Sequence, residues 1–141
     1  MDTRIHPETG KLLRRAVRQQ IVRVGSFSTT VDVPGWYPDD GSDSIHNGAD
    51  LAASNETFKV MRLAYAAHVK AVRKKLSLSQ EEAGLIVGGG KRAFQKYESG
   101  RFTPGEAAVG LIEVLAHHPE AVATLRRLRS SGMDATGKAW P

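Results

Sequence analysis

Residues 79–90 constrain the fold more than any other stretch. Ser79 precedes Gln80-Glu81-Glu82 and an apolar run, and Glu82 stands three residues after it, so the spacing predicts a capped helix start. Ala83, Leu85, Ile86 and Val87 supply a side to bury. Gly88-Gly89-Gly90 then ends the helix, because glycine accepts the positive φ of a sharp exit. A second short helix is expected over about 90–99, with Ala93, Phe94 and Tyr97 spaced to pack inward. Arg92, Gln95, Lys96 and Ser99 follow i, i+3, i+4, i+7 and point outward. An outward Arg, Gln and Lys after a tight turn suit the major groove. Arg and Lys donate to guanine O6 and N7, and Gln pairs with adenine. For a lone helix a solvated basic face is the plainer explanation; the cap, the turn and the basic flanks together favour DNA reading.

Charge divides the 141-residue chain in the same sense. Residues 1–57 carry 6 Lys+Arg and 8 Asp+Glu, whereas residues 58–141 carry 14 and 7. The basic half suits a phosphate-binding module, and the other half suggests a different task. The opening, residues 1–24, is itself basic, but residues 25–57 hold six Asp+Glu and no Lys or Arg. No stretch approaches the roughly 20 apolar residues of a membrane span and no signal peptide is visible, so a cytoplasmic protein is expected. With no cysteine there is no disulfide framework and no thiolate metal site; no metal and no cofactor are expected.

Along the chain, residues 1–13 read as a loosely held start. Ile21–Val24 and Ser28–Val33 read as two strands about a turn at Gly25-Ser26-Phe27, with Pro34-Gly35 closing the second. Trp36 and Tyr37 are expected to pack into or over this small sheet. Residues 38–50, rich in Asp and turn formers, lack calcium-loop spacing and read as a solvated loop. A long helix is expected from a Ser54 cap, with Phe58, Met61, Leu63, Tyr65, Val69, Val72 and Leu76 among its apolar positions. Arg73, Lys74 and Lys75 in its last turn oppose the helix dipole and can also follow a phosphate backbone. Thr103-Pro104, with Glu106 after them, predicts the next helix start, and that helix ends near His117. His117-His118-Pro119 makes a kink before a final helix to about Arg129. The adjacent histidines diverge on a helix and suit helix-end capping better than a shared metal.

Residues 69–128 resemble the Xre/lambda-repressor type of helix-turn-helix domain, through Leu78-Ser79-Gln80-Glu81-Glu82-Ala83 and Tyr97-Glu98-Ser99-Gly100. Val72–Leu78, the triple glycine, Ala93-Phe94 and His118-Pro119-Glu120 narrow the resemblance to the MqsA family of antitoxins. The N-terminal part resembles that family more weakly, through Ile21–Val33, Gly35-Trp36-Tyr37 and Ser44-Ile45-His46-Asn47. The resemblance implies a C-terminal domain that dimerises and binds DNA, with two recognition-helix residues four apart reading bases. These fall at Arg92 and Lys96, where the family pattern has Asn and Arg, so a different operator is implied. It also implies an N-terminal domain that covers a ribonuclease toxin and is built on a zinc held by two Cys-x-x-Cys pairs. Those pairs fall at Thr3 and His6 and at Pro38 and Gly41, none of which supplies a thiolate.

The expected fold is therefore mixed. A small β-rich partner-binding domain (1–53) precedes an all-α, five-helix, lambda-repressor-like helix-turn-helix domain for DNA binding and dimerisation (54–129), with a disordered tail (130–141). Arg92, Lys96 and Gln95 are assigned to bases. Ser79, Gln80, Lys91, Tyr97, Ser99, Arg101, Lys74 and Lys75 are assigned to phosphates. The expected function is an autoregulating repressor, the antitoxin of a toxin-antitoxin pair, acting as a homodimer on a palindromic operator in double-stranded DNA. A stand-alone regulator that has lost its toxin is the alternative. An enzyme is not expected: the chain shows no Ser-His-Asp order and no His-Glu-x-x-His, and Gly88-Gly89-Gly90-Lys91 lacks the spacing and hydroxyl of a P-loop.

Overall fold

Gly25 and Ser26 turn the chain between two long strands, β2 (Leu12–Val24) and β3 (Phe27–Tyr37), with Gly25 at φ 59°. Glycine in the first central position of a two-residue loop matches the twist of a right-handed hairpin. A short strand β1 (Thr3–Ile5) completes a sheet of order β1-β2-β3, antiparallel to β2 with Thr3 opposite Arg14 and Ile5 opposite Leu12. The structure, a computed structural model, describes residues 2–130 and Thr136. The helices are α1 (Gly48–Lys75), α2 (Gln80–Val87), α3 (Ala93–Glu98), α4 (Glu106–His117) and, after a 3-10 turn at Pro119–Ala121, α5 (Val122–Ser130). Among the described residues the protein is thus mixed, a three-stranded sheet followed by five α-helices. No helix among the described residues is long and apolar enough to cross a membrane.

The chain forms two compact units, one of residues 1–23 with 28–61, the other of residues 24–27 with 62–141. In the first, Leu13, Val33, Tyr37 and Pro38 are buried. Tyr37 donates its hydroxyl to the Val33 carbonyl at 2.7 Å, so its polar end is satisfied inside. Trp36 exchanges two backbone hydrogen bonds with Ile45, at 2.8 and 2.9 Å, which folds the segment after β3 back onto it. In the second unit Tyr65, Val69, Val72, Leu78, Ala83, Ile86, Phe94, Ile112 and Leu115 make the core. Phe27 meets the Tyr65 ring edge-on at 5.5 Å.

Several expectations are corrected. Residues 1–13 are not loose: β1 pairs with β2, and the His6 ring closes the turn between them, its Nδ1 accepting from the Glu8 and Thr9 amides at 3.1 and 3.3 Å. β2 begins nine residues before Ile21, and β3 runs through Pro34-Gly35 to Tyr37 rather than stopping there. Proline is tolerated because β3 is an edge strand and needs no donor on its open side. The long helix starts at Gly48, not after Ser54. Asn47 Oδ1 accepts from the Asp50 amide at 2.7 Å, and Asp50 Oδ2 accepts from the Asn47 amide at 3.0 Å. This is a reciprocal cap built from Asn and Asp. Asp50, placed in a solvated loop by its sequence, is therefore buried and helical. Along α1 Phe58 and Leu63 are exposed while Met61, Tyr65, Val69 and Val72 are buried. α4 begins at Glu106 after an extended Gly105, without a side-chain cap, because Pro104 is itself buried and the chain stays extended past it. His117 ends α4 and His118 caps it, as the sequence suggests. The tail reading falls, apart from Ser130 in α5 and Thr136, outside the described residues.

Candidate nucleic-acid interface

The predicted cap is present: Glu82 donates its amide to Ser79 Oγ at 3.1 Å, and Ser79 donates its own to Glu82 Oε1 at 3.1 Å. The Ser79 amide, followed by its hydroxyl, holds the Glu82 carboxyl below the usual glutamate range. At the other end Gly88, Gly89 and Gly90 have φ of 127°, 91° and 95°, all outside what a side chain readily adopts. The Gly84 carbonyl accepts from both Gly88 and Gly90, at 3.1 and 3.3 Å, so the turn folds back over α2. There is no room above Gly84, because a Cβ there would run into the Gly90 carbonyl. The Gly90 carbonyl in turn accepts from the Ala93 amide at 3.1 Å, which launches α3.

α3 is short, and its inner residues Ala93 and Phe94 are buried. Phe94 and Tyr97 stack edge-to-face at 5.5 Å. A buried ion pair fixes the far end. Arg73 at the end of α1 donates Nε to Glu98 Oε2 at 2.7 Å and Nη2 to Glu98 Oε1 at 2.8 Å. Its Nη1 reaches the Leu78 carbonyl at 2.9 Å, and Gln80 Nε2 donates to Glu98 Oε1 at 3.3 Å. The Arg73 and Glu98 side chains are 12% and 4% exposed, so the pair is largely shielded from water. The hydrogen bonds to Glu98 push the guanidinium pKa above its ordinary value. Arg73, grouped by sequence with Lys74 and Lys75, is thus a strut between α1 and α3 rather than a phosphate contact.

The outward residues come together. Arg92, Gln95, Lys96, Ser99, Arg101 and Phe102 line one surface depression. Arg92 is the residue just before α3 and not within it. The Ser99 hydroxyl donates to the Lys96 carbonyl at 2.6 Å and accepts the Arg101 amide at 3.2 Å, so it shapes the exit that presents Arg101. Sequence reasoning missed Phe102, whose exposure beside Arg101 is its only signal. The other assigned residues lie elsewhere. Tyr97 faces the glycine turn, lining a cleft with Gly88, Gly89 and Leu111. Lys91 lies 3.8 Å from Glu81, an exposed pair of little weight. Lys75 Nζ donates to the Ala116 carbonyl at 2.7 Å, and Lys74 is exposed in the last turn of α1. Leu85, expected inside, is exposed, as are Val114 and Leu128.

Such a surface, cationic with one amide and one aromatic ring, is suited to contacting anionic polymer and base edges. Residues 37–126 match the family model described as the antitoxin component of a bacterial toxin-antitoxin system, MqsA. The chain is also similar to Antitoxin MqsA of Escherichia coli (strain K12), with 37% identity over 100 residues that cover 67% of this chain and 76% of that protein. The chain, without a single cysteine, belongs to the MqsA antitoxin family.

Proposed function

We propose that α2, the glycine turn and α3 form a helix-turn-helix that reads double-stranded DNA, and that the protein represses its own operon as a homodimer in the cytoplasm. The observation that carries this reading is the convergence of Arg92, Gln95, Lys96 and Arg101 in one depression around α3, a helix anchored by a buried ion pair. Arg92 and Lys96 are four apart and take the base-reading role; Gln95 between them adds an adenine contact. Ser79, Gln80, Lys91, Tyr97, Ser99, Arg101, Lys74 and Lys75 are the phosphate-side residues of the reading. Among them Gln80 and Lys75 must exchange an internal hydrogen bond for a phosphate. The exposed Leu85, Val114 and Leu128 support a dimer seam on α2, α4 and α5, and two-fold symmetry calls for a palindromic operator. The N-terminal unit is the part that covers a ribonuclease toxin. Its acidic segment offers complementarity to a basic nuclease.

Arg92→Ala is expected to weaken binding to the protein's own upstream DNA by about 1–3 kcal/mol while leaving binding to scrambled duplex nearly unchanged. Fluorescence anisotropy on both duplexes measures it. An equal loss on the two would remove Arg92 from the bases and place it on the backbone.

A further inference from the structure

The zinc implied by the family resemblance meets a donor set in the N-terminal unit that does not fit it. Thr3 and His6, Pro38 and Gly41 stand where thiolates would be needed. His6 is the one ligating type among them, and its ring is already committed. Nδ1 accepts two backbone amides, so the proton of the neutral imidazole lies on Nε2 and no lone pair remains for a metal. No three His, Cys, Asp or Glu residues gather into a metal-binding group among the described residues.

The same two segments are nevertheless joined. His6 donates its amide to the Lys11 carbonyl at 2.9 Å, and Gly10 donates to the His6 carbonyl at 3.0 Å, closing the β1–β2 turn. From that turn Lys11 Nζ reaches Asp40 Oδ2 at 3.0 Å, in the loop after β3. Asp40 Oδ1 meanwhile accepts the Ser42 amide at 2.8 Å, which shapes that loop. Next along β2, Arg14 lies 3.6 Å from Asp39, and Arg18 donates to the Pro38 carbonyl at 2.5 Å. Arg15 grips both oxygens of Asp50, the residue that caps α1, and its guanidinium also lies 5.7 Å from the Trp36 ring centroid. Arg4 lies over that ring too, at 5.5 Å.

We propose that the N-terminal unit is a metal-independent form of the family's domain. In it the His6 turn and the Lys11–Asp40 pair join the segments that a zinc would otherwise hold, and the Arg15–Asp50 pair braces the unit beside them. The two pairs are unequal. Lys11 and Asp40 are about half exposed, so their pair adds little beyond orientation. Asp50 is 3% exposed and bound in a fork by Arg15, so this clamp carries most of the load. It ties β2 to the start of α1, and an uncharged or unforked replacement undoes it.

The test uses the full-length protein: metal content of the purified chain, and calorimetric melting alone, with EDTA and with equimolar zinc chloride. The expected result is substoichiometric metal and a melting profile that neither addition moves. Asp50→Asn should then lower the melting midpoint by roughly 5 °C or more, still without chelator sensitivity. Should Asp50→Asn fail to fold, Arg15→Lys, which keeps the charge but loses the fork, should show a smaller drop of the same kind. One metal per chain, a midpoint lowered by EDTA or raised by zinc, or variants that melt like the wild type would each overturn the proposal.

Discussion

Glu98→Ala is expected to lower the unfolding free energy by about 3–5 kcal/mol in urea denaturation followed by circular dichroism. Its carboxylate is the charge partner of Arg73 and the acceptor for Gln80. Removing it leaves a guanidinium 12% exposed with two of its donors facing no carboxylate, and an uncompensated buried charge costs far more than the pair itself contributes. Glu98→Gln, which keeps the shape and one acceptor, should lose less. Arg73→Lys should resemble Glu98→Ala more than a conservative change, because an ammonium cannot span both oxygens and the Leu78 carbonyl. A loss below about 1 kcal/mol for Glu98→Ala would mean that water reaches the pair as it does a surface bridge. α3 has only six residues and cannot hold itself as a helix, so loss of this strut should also scatter the Arg92–Lys96 face.

Gly84→Ala should be the second damaging change, and its sign runs against intuition. In a helix interior, glycine to alanine normally stabilises by roughly 0.5–1 kcal/mol. At Gly84 the new methyl meets the Gly90 carbonyl, a backbone group that cannot turn aside as a flexible side chain could. Overpacking of this kind costs about 1–3 kcal/mol, so the net effect is destabilising. Relief requires the triple-glycine turn to lift, which shifts the start of α3 and should reduce operator binding as well. Gly110→Ala in α4 is the control: nothing lies within 4 Å of a Cβ there, so it should be neutral or stabilising. Equal behaviour of the two variants in melting and DNA binding would show that the turn tolerates displacement.

What could be read from the sequence was local. The Ser79–Glu82 cap and the glycine exit need only neighbours a few residues apart, and the structure has both. The outward set Arg92, Gln95, Lys96 and Ser99 follows from helical spacing, Arg101 is assigned beside it from the sequence, and the structure adds Phe102. The Arg73–Glu98 pair spans 25 residues and has no local signature, so three adjacent cations looked alike. Arg15–Asp50 spans 35 residues, and Asp50 in an Asp-rich run reads as solvent-facing for the same reason. The α1 start was hidden by chemistry rather than distance. Asn47 and Asp50 reproduce a capping box without Ser, Thr or Glu, whereas Ser54, the usual signal, lies mid-helix and donates to the Leu51 carbonyl. β1 is three exposed residues without alternation, and only its register with β2 reveals it.

Asp50 also gives the first unit a direction of acid sensitivity. The Arg15 fork, followed by the Asn47 amide, holds its pKa at about 2, below the ordinary aspartate value. Its contribution to stability is therefore complete above the ordinary aspartate range and is lost as pH falls toward 2.

DNA reading by α3 is the central claim, and fluorescence anisotropy across a salt series tests it most directly, with the upstream region of the protein's own gene against a scrambled duplex. The expected result is binding to the upstream DNA about 10³-fold tighter or more, with a footprint of two symmetric half-sites about one helical turn apart. Equal affinities that fall together and steeply with salt would contradict it, because they would show a cationic face that follows phosphates and reads no bases.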